Sequence, residues 1–577
     1  MGQTSSVKIV LSSLVLLIVM ASLLLADAPG YFIERLQDPK ELIFYLFCFV
    51  CSLGGILSGL CKKAGRRSSI DLSWLAFLVV LFVVYRINNS FFSAVPVLVG
   101  WRETGSFVLF VLTVVVLAHL ERPHLDRLLR VFTIVAAVIL LTQFAYSYPY
   151  FVLVSTDPDF GSVGHVTYLS ALLLLIIPWL VYIILSSEHK VMRYLVGSAL
   201  ILVLAALATI CRISTLMGFV AAVVASLILF MVRRDDATRR LLKCFTAGLV
   251  LFFMVATAHY FLIQDKAGYK PDLLTRITQY TSGVDQDLIH PWRQRRLIYQ
   301  SAVHEFLERP VMGWGYGSFR YTSAAFMEPG PGEEELGRFM LENWLDHPHN
   351  DVLYQLVEGG VTGLVLYYLV IGVFIGGLVR QRRRMGQRDS LLIDVILIMV
   401  VMLTVSFQYE SVIVSPMIKF FLLPLFVLGT HLHLTGRAPP VVEPGQRGVL
   451  MTALPVVLLA GWFALVPSYT SYLLRVASRH GGGADSHLLA LRLSAADYQN
   501  LMHAGHIEAN RGHLQVAEAI LTKAQRLYPL VPEIYAVLGE FYFKHKRYEE
   551  ARKILTQGHE VFPLYQPVNF ILEKIKK

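Results

Sequence analysis

The sequence predicts an all-α, polytopic membrane protein of about 12–13 transmembrane helices with an α-helical repeat domain at its C-terminus. Three observations support this fold class. Hydrophobic residues make up 55% of the 577 residues and charged residues only 16%, a composition too apolar for a soluble multidomain protein. Basic residues cluster in every second loop. After about residue 468 the chain becomes polar and repeats with a period of 34 residues.

Residues 1–467 contain about thirteen apolar stretches, each close to the ~20 residues that cross the hydrocarbon core of a bilayer. The first stretch resembles a signal peptide, but we interpret it as an uncleaved helix because so many spans follow it. Residues 87–100 fit either a re-entrant segment or part of a helix. The predicted spans begin at Val7, Leu42, Leu72, Ser106, Leu129, Tyr168, Tyr194, Ser214, Phe245, Val352, Leu391, Pro416 and Gly448.

The distribution of positive charge predicts the orientation of these spans. The alternate basic loops are cytoplasmic by the positive-inside rule, so the N-terminus lies inside and the residues after 468 lie outside. The same alternation argues against nucleic acid as the partner, although the net charge is +10. None of the five cysteines lies in the loop 264–350 or after residue 468, so no disulfide framework is predicted.

Residues 264–350 form a polar insertion, called the long loop below, which the charge pattern places outside. Apolar residues at helical spacing predict a helix over Ile298–Glu308, which ends before Pro310. The glycine-rich run 313–317 lacks the Lys-Ser or Lys-Thr of a phosphate-binding P-loop and is typical of a turn. Glu333–Glu335 are predicted to be a solvated turn.

The long loop ends in His347-Pro-His349-Asn350, directly before an apolar helix. Two imidazoles at a membrane boundary are compatible with three interpretations: a functional base, a metal site completed by Asp346 or Asp351, or histidines that cap a helix. Asn350 in turn either orients an imidazole or begins the helix. The sequence alone leaves these alternatives open.

Arg212 is the single charged residue between positions 201 and 230. The apolar runs on either side leave room only for a tight turn, so its guanidinium is predicted at or just below the outer membrane surface. An arginine at such a depth usually faces a partner or a cavity, and the alternative is a side chain that reaches the interface from a helix end.

Residues 468–577 contain two related segments, 498–531 and 532–565. Small residues and a proline recur at equivalent positions, and the pattern resembles the tetratricopeptide repeat. A degenerate helical pair over 485–496 is predicted to cap the repeats. Such a domain binds a protein partner, mediates self-association, or packs on the long loop.

The spacing of His349 and Asn350, nine residues, Gly360, two residues and Gly363 resembles the H-[NSQ]-x9-G-x-x-G pattern of bacterial O-antigen ligases. It is similar, more loosely, to the wider superfamily that includes O-antigen polymerases and protein O-oligosaccharyltransferases. Members of this superfamily commonly carry Ser-Arg at the hairpin where this chain has Cys211-Arg212.

The resemblance extends into the long loop. The family has an arginine, an aromatic residue four positions later, a helix, and then proline before a Gly-x-Gly turn. Arg295 and Tyr299 stand at the first two positions, and Tyr299 replaces the usual tryptophan. Arg293 and Arg296 are close enough to substitute for Arg295.

The resemblance implies a GT-C type glycosyltransferase in the bacterial inner membrane, with its active site and C-terminal domain on the periplasmic side. The implied donor is a glycan on undecaprenyl diphosphate, and transfer inverts the anomeric centre without a metal or other cofactor. His349 is the implied base, and Arg212 and Arg295 hold the diphosphate. Implied substrate-binding residues are His347, Asn350, Arg293, Arg296, Tyr299, Gly360 and Gly363.

The acceptor separates three enzymes that share this chemistry. Lipid A core as acceptor defines a ligase, which we rank first, a growing glycan chain defines a polymerase, and a protein hydroxyl defines an O-oligosaccharyltransferase. Two interpretations from other classes are a transporter of lipid-linked glycan and a scaffold that acts through its repeats. The presence of essentially one charged residue in mid-chain membrane segments disfavours a transporter.

Overall fold

A computed structural model describes most of the chain, and its regular structure is helical. The all-α prediction is confirmed, with no β-strand among the described residues. The described ranges are 33–61, 74–153, 166–210, 212–263, 291–342, 347–409, 415–435, 453–466, 489, 491–492 and 496–576. The first predicted span and the predicted domain boundary at 467/468 lie outside them, as does most of the predicted cap 485–496.

Within the described ranges, nine helices are long and apolar enough to cross a membrane, and two shorter apolar helices cover 75–91 and 453–466. The polytopic prediction is therefore confirmed. Up to the long loop the helices are α1 Ile33–Cys61, α2 Trp74–Phe91, α3 Val97–Ala118, α4 Arg122–Leu153, α5 Val166–Ser186, α6 Lys190–Ile210, α7 Ile213–Arg233 and α8 Asp236–Ile263.

The remaining helices belong to the long loop, the last membrane segments and the C-terminal domain. They are α9 Pro291–Glu308, α10 Phe319–Thr322, which leads into a 3-10 turn at Ser323–Phe326, α11 Glu334–Glu342, α12 Asp351–Arg382, α13 Gln387–Ser406, α14 Pro416–Thr435, α15 Ala453–Val466, α16 Tyr498–Asn510, α17 Leu514–Leu527, α18 Pro532–Lys544, α19 Tyr548–Val561 and α20 Gln566–Lys576.

The chain divides into two compact units, each built from three segments. The first unit comprises residues 1–71, 110–284 and 372–454. Helix α5 lies in its core, since nearly every residue from 167 to 183 is buried. A Cβ atom at Gly218 of α7 would lie only 3.0 Å from side-chain atoms of Leu174 and Ser406, so this glycine permits close packing of α5, α7 and α13.

A buried ion cluster ties α7, α12 and α13 together in the first unit. Asp394 is fully buried and accepts hydrogen bonds from Arg382 at 2.7 and 2.8 Å. Its carboxylate also pairs with Arg233, and Arg382 reaches Asp235 at 3.0 Å. Some of the basic residues that predict a cytoplasmic loop thus also neutralise a buried carboxylate, which would otherwise be costly.

The second unit comprises residues 72–109, 285–371 and 455–577. Its C-terminal part consists of two helical hairpins, α16–α17 and α18–α19, whose corresponding helices begin 34 residues apart. Buried side chains at equivalent positions, such as Leu521 and Leu555, fill the space opposite Gly505 and Gly539. We call residues 496–576 the repeat domain. The assignment of its hairpins to the tetratricopeptide family stays a prediction.

Several sequence-based boundaries are wrong. Helix α9 begins at Pro291 rather than Ile298, because proline is favoured in the first helical turn and the arginines that follow it are good helix formers. Helix α3 begins at Val97 rather than Ser106, so it includes Trp101, Arg102 and Glu103. The run Glu333–Glu335 is not a simple turn, because α11 begins at Glu334.

Candidate active site

His349 is held in an unusual backbone conformation immediately before α12. Its φ angle is 51°, in the left-handed region that residues other than glycine rarely adopt. The rings of His347 and His349 lie with their centroids 4.6 Å apart. Backbone strain of this kind costs about 1–3 kcal/mol and is typical of functional sites. The strain therefore marks His349 as a candidate functional residue.

Asn350 begins α12. Its side-chain oxygen accepts a hydrogen bond from the Leu353 backbone amide at 3.0 Å, which is the geometry of an N-cap. Of the two roles that the sequence leaves open for Asn350, the structure contains the helix cap. The cap fixes the start of α12 directly after His349, so it contributes to the placement of the imidazole.

Helix α9 carries a candidate arginine and a tyrosine that contacts the His349 backbone. The Tyr299 hydroxyl donates a hydrogen bond to the His349 carbonyl oxygen at 3.3 Å. Arg295 precedes Tyr299 by four residues and therefore shares its helix face. The spacing of these two residues in the sequence thus corresponds to one face of α9, directed at the segment that carries His349.

The other two arginines of α9 differ in their surroundings. Arg293 is half-buried, like Arg295, whereas Arg296 is exposed. Arg296 forms an ion pair with Glu333, which also accepts a hydrogen bond from the Gly330 amide at 3.2 Å. A carboxylate thus already neutralises the charge of Arg296.

Gly360 interrupts α12. Its φ and ψ angles are 61° and −170°, so the helix is broken there. Residues 310–315 supply the missing backbone partners: the amides of Trp314 and Gly315 donate to the carbonyls of Val357 and Glu358 at 2.8 and 2.9 Å. On the other side of the break, the Val361 amide donates to the Pro310 carbonyl at 2.8 Å.

The glycines of the motif permit close contact between α12 and this turn. A Cβ atom at Gly360 would lie 2.4 Å from the Val311 carbonyl oxygen, and one at Gly363 would lie 2.7 Å from the Tyr316 hydroxyl. On the other side of this contact, Gly313 has a φ angle of 70°, and a Cβ atom there would lie 2.6 Å from the Glu358 backbone. Any larger residue at these sites would separate the two segments.

The C-terminal end of α2 supports the same turn, a role that the sequence analysis missed. The Asn89 amide donates to the Met312 carbonyl at 2.5 Å, and the Tyr85 hydroxyl donates to the Gly359 carbonyl at 2.5 Å. Arg86 is 9% exposed and its guanidinium lies 3.7 Å from the ring centroid of Tyr316. The available signal was Arg86 itself, the single charged residue in the apolar helix 74–91.

Two buried carboxyl groups complete the surroundings of the turn. Glu358 is 2% exposed, and its side chain accepts a hydrogen bond from the Phe319 amide at 3.3 Å. Glu305 of α9 is fully buried and accepts a hydrogen bond from Thr322. The pKa of the Glu305 carboxyl lies well above its ordinary value, mainly because the group is buried. The hydrogen bond from Thr322 lowers this pKa by a smaller amount, and the negative charge of Glu358 raises it.

Arg212 belongs to the first unit. The predicted tight turn is confirmed, since α6 ends at Ile210 and α7 begins at Ile213. Arg212 occupies the N-cap position of α7, its backbone amide donates to the Thr215 hydroxyl at 3.0 Å, and this hydroxyl donates back to the Arg212 carbonyl at 2.8 Å. The amino end of a helix favours anions, and Arg212 adds a full positive charge there.

The metal-site interpretation of the histidine pair finds no further ligands in the described part of the chain. No group of three or more His, Cys, Asp or Glu side chains placed to hold a metal occurs there. Asp346, one of the two carboxylates that the interpretation invoked, lies outside the described residues. Asp351, the other, is buried at 3% exposure and hydrogen-bonds to Tyr367.

Comparison with known proteins agrees with the resemblance seen in the sequence. Residues 197–368 match the family model of the O-antigen ligase domain. This region includes Arg212, the α9 arginines, the glycine-rich run 313–317, His349, Gly360 and Gly363. An 80-residue stretch is 29% identical to a candidate polysaccharide ligase of Rickettsia conorii and covers 13% of this chain. The chain spans 18% of the length of that relative.

Proposed function

We propose that this protein is a membrane glycosyltransferase that moves a glycan from undecaprenyl diphosphate to a hydroxyl acceptor, and that it acts as an O-antigen ligase on lipid A core. The match of residues 197–368 to the O-antigen ligase family supports the reaction class. The single observation that carries the site assignment is the strained, doubly anchored position of His349, whose carbonyl binds Tyr299 and whose neighbour Asn350 caps α12.

In the proposed reaction His349 is the general base. The acceptor hydroxyl oxygen attacks the anomeric carbon of the donor from the face opposite the diphosphate, and its proton passes to an imidazole nitrogen of His349. The bond between the anomeric carbon and the phosphate oxygen breaks, and its electron pair leaves with undecaprenyl diphosphate. A neutral imidazole has a nitrogen lone pair that is able to accept this proton.

Arginines hold the leaving group in this proposal. Guanidinium groups bind phosphate oxygens through paired hydrogen bonds and keep their charge, so they stabilise the negative charge that grows on the diphosphate. Arg295 is assigned this role because it shares a helix face with Tyr299, which binds the His349 segment. Arg212 is assigned the same role at the amino end of α7, and Arg293 and Arg296 are the alternatives to Arg295.

The first test is transfer by purified protein from a defined undecaprenyl-diphosphate-linked donor. Replacing His349 by alanine removes the base, so we expect the transfer rate to fall by about 10²–10⁴-fold. Arg295→Ala should also reduce transfer strongly. A matched control is His304→Ala, since His304 is a half-exposed histidine on α9 whose Nδ1 lies 3.8 Å from the exposed Glu328 carboxylate. Wild-type rates in His349→Ala would exclude the proposed base.

The second test identifies the acceptor through glycan profiles of a deletion strain complemented with the wild type or with His349→Ala. Long polymer on undecaprenyl diphosphate and none on lipid A in the variant strain is the result expected for a ligase. Single repeat units without a ladder would instead assign a polymerase. Unchanged lipid-linked and lipid A-linked glycans would overturn both and direct the search to a protein acceptor.

A further inference from the structure

The repeat domain packs against the long loop through the turns that connect its helices. The turn between α17 and α18 carries Leu530, whose side chain packs against an apolar cluster of the long loop and α12. That cluster contains Leu297 and Ile298 of α9, Leu336 and Met340 of α11, and Val357 of α12. One leucine of the repeat domain thus contacts the cluster that unites the three helices around the candidate site.

Aromatic contacts add to this interface at the same turn. The ring of Tyr321, which follows the glycine turn, lies 4.8 Å from Tyr528 and 6.0 Å from Tyr498, centroid to centroid. Tyr528 is 1% exposed and Tyr498 is 4% exposed. The hydroxyl groups of both are hydrogen-bonded, to the Ala496 carbonyl and to Glu533 respectively. The two tyrosines therefore form a rigid surface on which Tyr321 packs.

The second turn of the repeat domain, between α19 and α20, reaches α11. A Cβ atom at Gly337 would lie 3.1 Å from the Leu564 side chain, so α11 and this turn are in direct contact. Ala324, Ala325 and Leu341 of the long loop pack against the apolar core of the second hairpin. Both turns on one edge of the repeat domain are thus occupied by the long loop.

The contacted segments flank the candidate site in the sequence. Residues 321–325 follow the glycine turn that closes the break in α12, and α11 ends at Glu342, shortly before His347. We infer that this edge of the repeat domain is an intramolecular docking surface whose partner is the long loop, and that it positions the segments leading to His349. This role in activity rests on the proposed function, whereas the docking itself does not.

The test exploits two leucines of the same repeat with different surroundings. Leu530 packs against the long-loop cluster, whereas Leu514 is 38% exposed at the start of α17. In the full-length protein in detergent, Leu530→Asp should accelerate amide hydrogen exchange in 319–326 and 334–342 by about tenfold or more, because a charge replaces a buried apolar contact. Leu514→Asp should leave exchange in both segments at the wild-type rate.

A second interface variant covers the case in which Leu530→Asp unfolds the repeat domain. Amide exchange in α18 reports on the fold of the repeat domain itself. If Leu530→Asp accelerates exchange in α18, the docking is tested instead with Leu564→Asp at the other turn. Faster exchange in 334–342 with a protected α18 supports docking. Docking would be overturned if exchange in 319–326 and 334–342 stayed at the wild-type rate in both interface variants. It would also be overturned if Leu514→Asp accelerated exchange in these segments as much as the interface variants do.

Transfer activity measured on the same samples tests the positioning role separately. We expect Leu530→Asp to lower the transfer rate at least tenfold while Leu514→Asp retains it. If Leu530→Asp shows faster exchange but full transfer activity, the docking surface is supported and its role in positioning the His349 segment is overturned. Absence of transfer in the wild type would refute the proposed function, and the exchange result would still decide whether the repeat domain docks on the long loop.

Discussion

At the scale of single residues, polar groups near the candidate site are placed by burial and backbone geometry rather than by spacing alone. His349 occupies a left-handed backbone conformation that costs a histidine free energy. Tyr299 binds the His349 carbonyl and Asn350 caps the helix that follows, so both sides of His349 are fixed. Glu305 lies fully buried one turn from Ser301 on the inner face of α9, where its carboxyl bonds to Thr322. These side chains act as fixed parts of a packed interior.

Glu305 predicts a pH dependence of stability. Because its pKa is raised in the folded protein, the fold loses stability as pH rises above the ordinary carboxyl value of 4.5 and on through the raised folded value. Glutamine mimics the protonated carboxyl and removes this loss. Glu305→Gln should therefore match the wild type near pH 5 and unfold about 2–4 °C higher near pH 8, in thermal unfolding experiments in detergent.

The control for this prediction is Glu308→Gln, which changes an exposed carboxylate at the end of the same helix. It should shift the unfolding temperature equally at both pH values. If Glu305→Gln shows no larger gain at pH 8 than at pH 5, the buried carboxyl does not carry the pH dependence.

At the scale of elements, the pattern from His349 to Gly363 describes a capped helix that is broken after about nine residues. The break at Gly360 leaves backbone groups of α12 without helical partners, and residues 310–315 hydrogen-bond to them. The C-terminal end of α2 hydrogen-bonds to the same turn. The substrate-binding role of Gly360 and Gly363 stays a prediction. Their contacts with the Val311 carbonyl and Tyr316 already account for the absence of side chains at both positions.

Gly360→Ala tests the helix break. Alanine at a φ of 61° is strained, and its Cβ would meet the Val311 carbonyl oxygen at 2.4 Å, so we expect a loss of about 3 kcal/mol in unfolding free energy. The matched control is Gly372→Ala on the same helix, where a Cβ has no neighbour within 4 Å. The control should be neutral or slightly stabilising in denaturant titrations, and equal stabilities of the two variants would refute the account of the break.

At the scale of the whole molecule, the helices form a multi-pass membrane protein, and its orientation follows from the basic loops alone. The charge pattern predicts that the loop between α5 and α6 is cytoplasmic and that the repeat domain is periplasmic. This orientation places His349 on the side where a periplasmic ligase would meet its acceptor. It stays a prediction that labelling is able to test.

Single cysteines introduced into a cysteine-free variant provide that test. Val516 is 45% exposed on α17, and Glu188 is exposed between α5 and α6. A membrane-impermeant maleimide added to cells with a permeabilised outer membrane should label Val516→Cys and should label Glu188→Cys only after lysis. The reverse pattern would invert the topology and place the repeat domain in the cytoplasm.

By itself the sequence determined the all-α membrane architecture. Insertion into a bilayer depends on the length and apolarity of each span and on the charge of its flanking residues, and these are local properties of the sequence. It also predicted His349, Asn350, Arg295 and Tyr299 as candidate site residues, since their spacing along the chain is a local pattern. Only the tertiary structure decided that Tyr85, Arg86 and Asn89 of α2 support a turn more than two hundred residues away. Such pairings depend on which buried donors and acceptors meet in space, and no periodicity in the sequence records them. The same holds for the choice of the long loop as the surface on which the repeat domain packs.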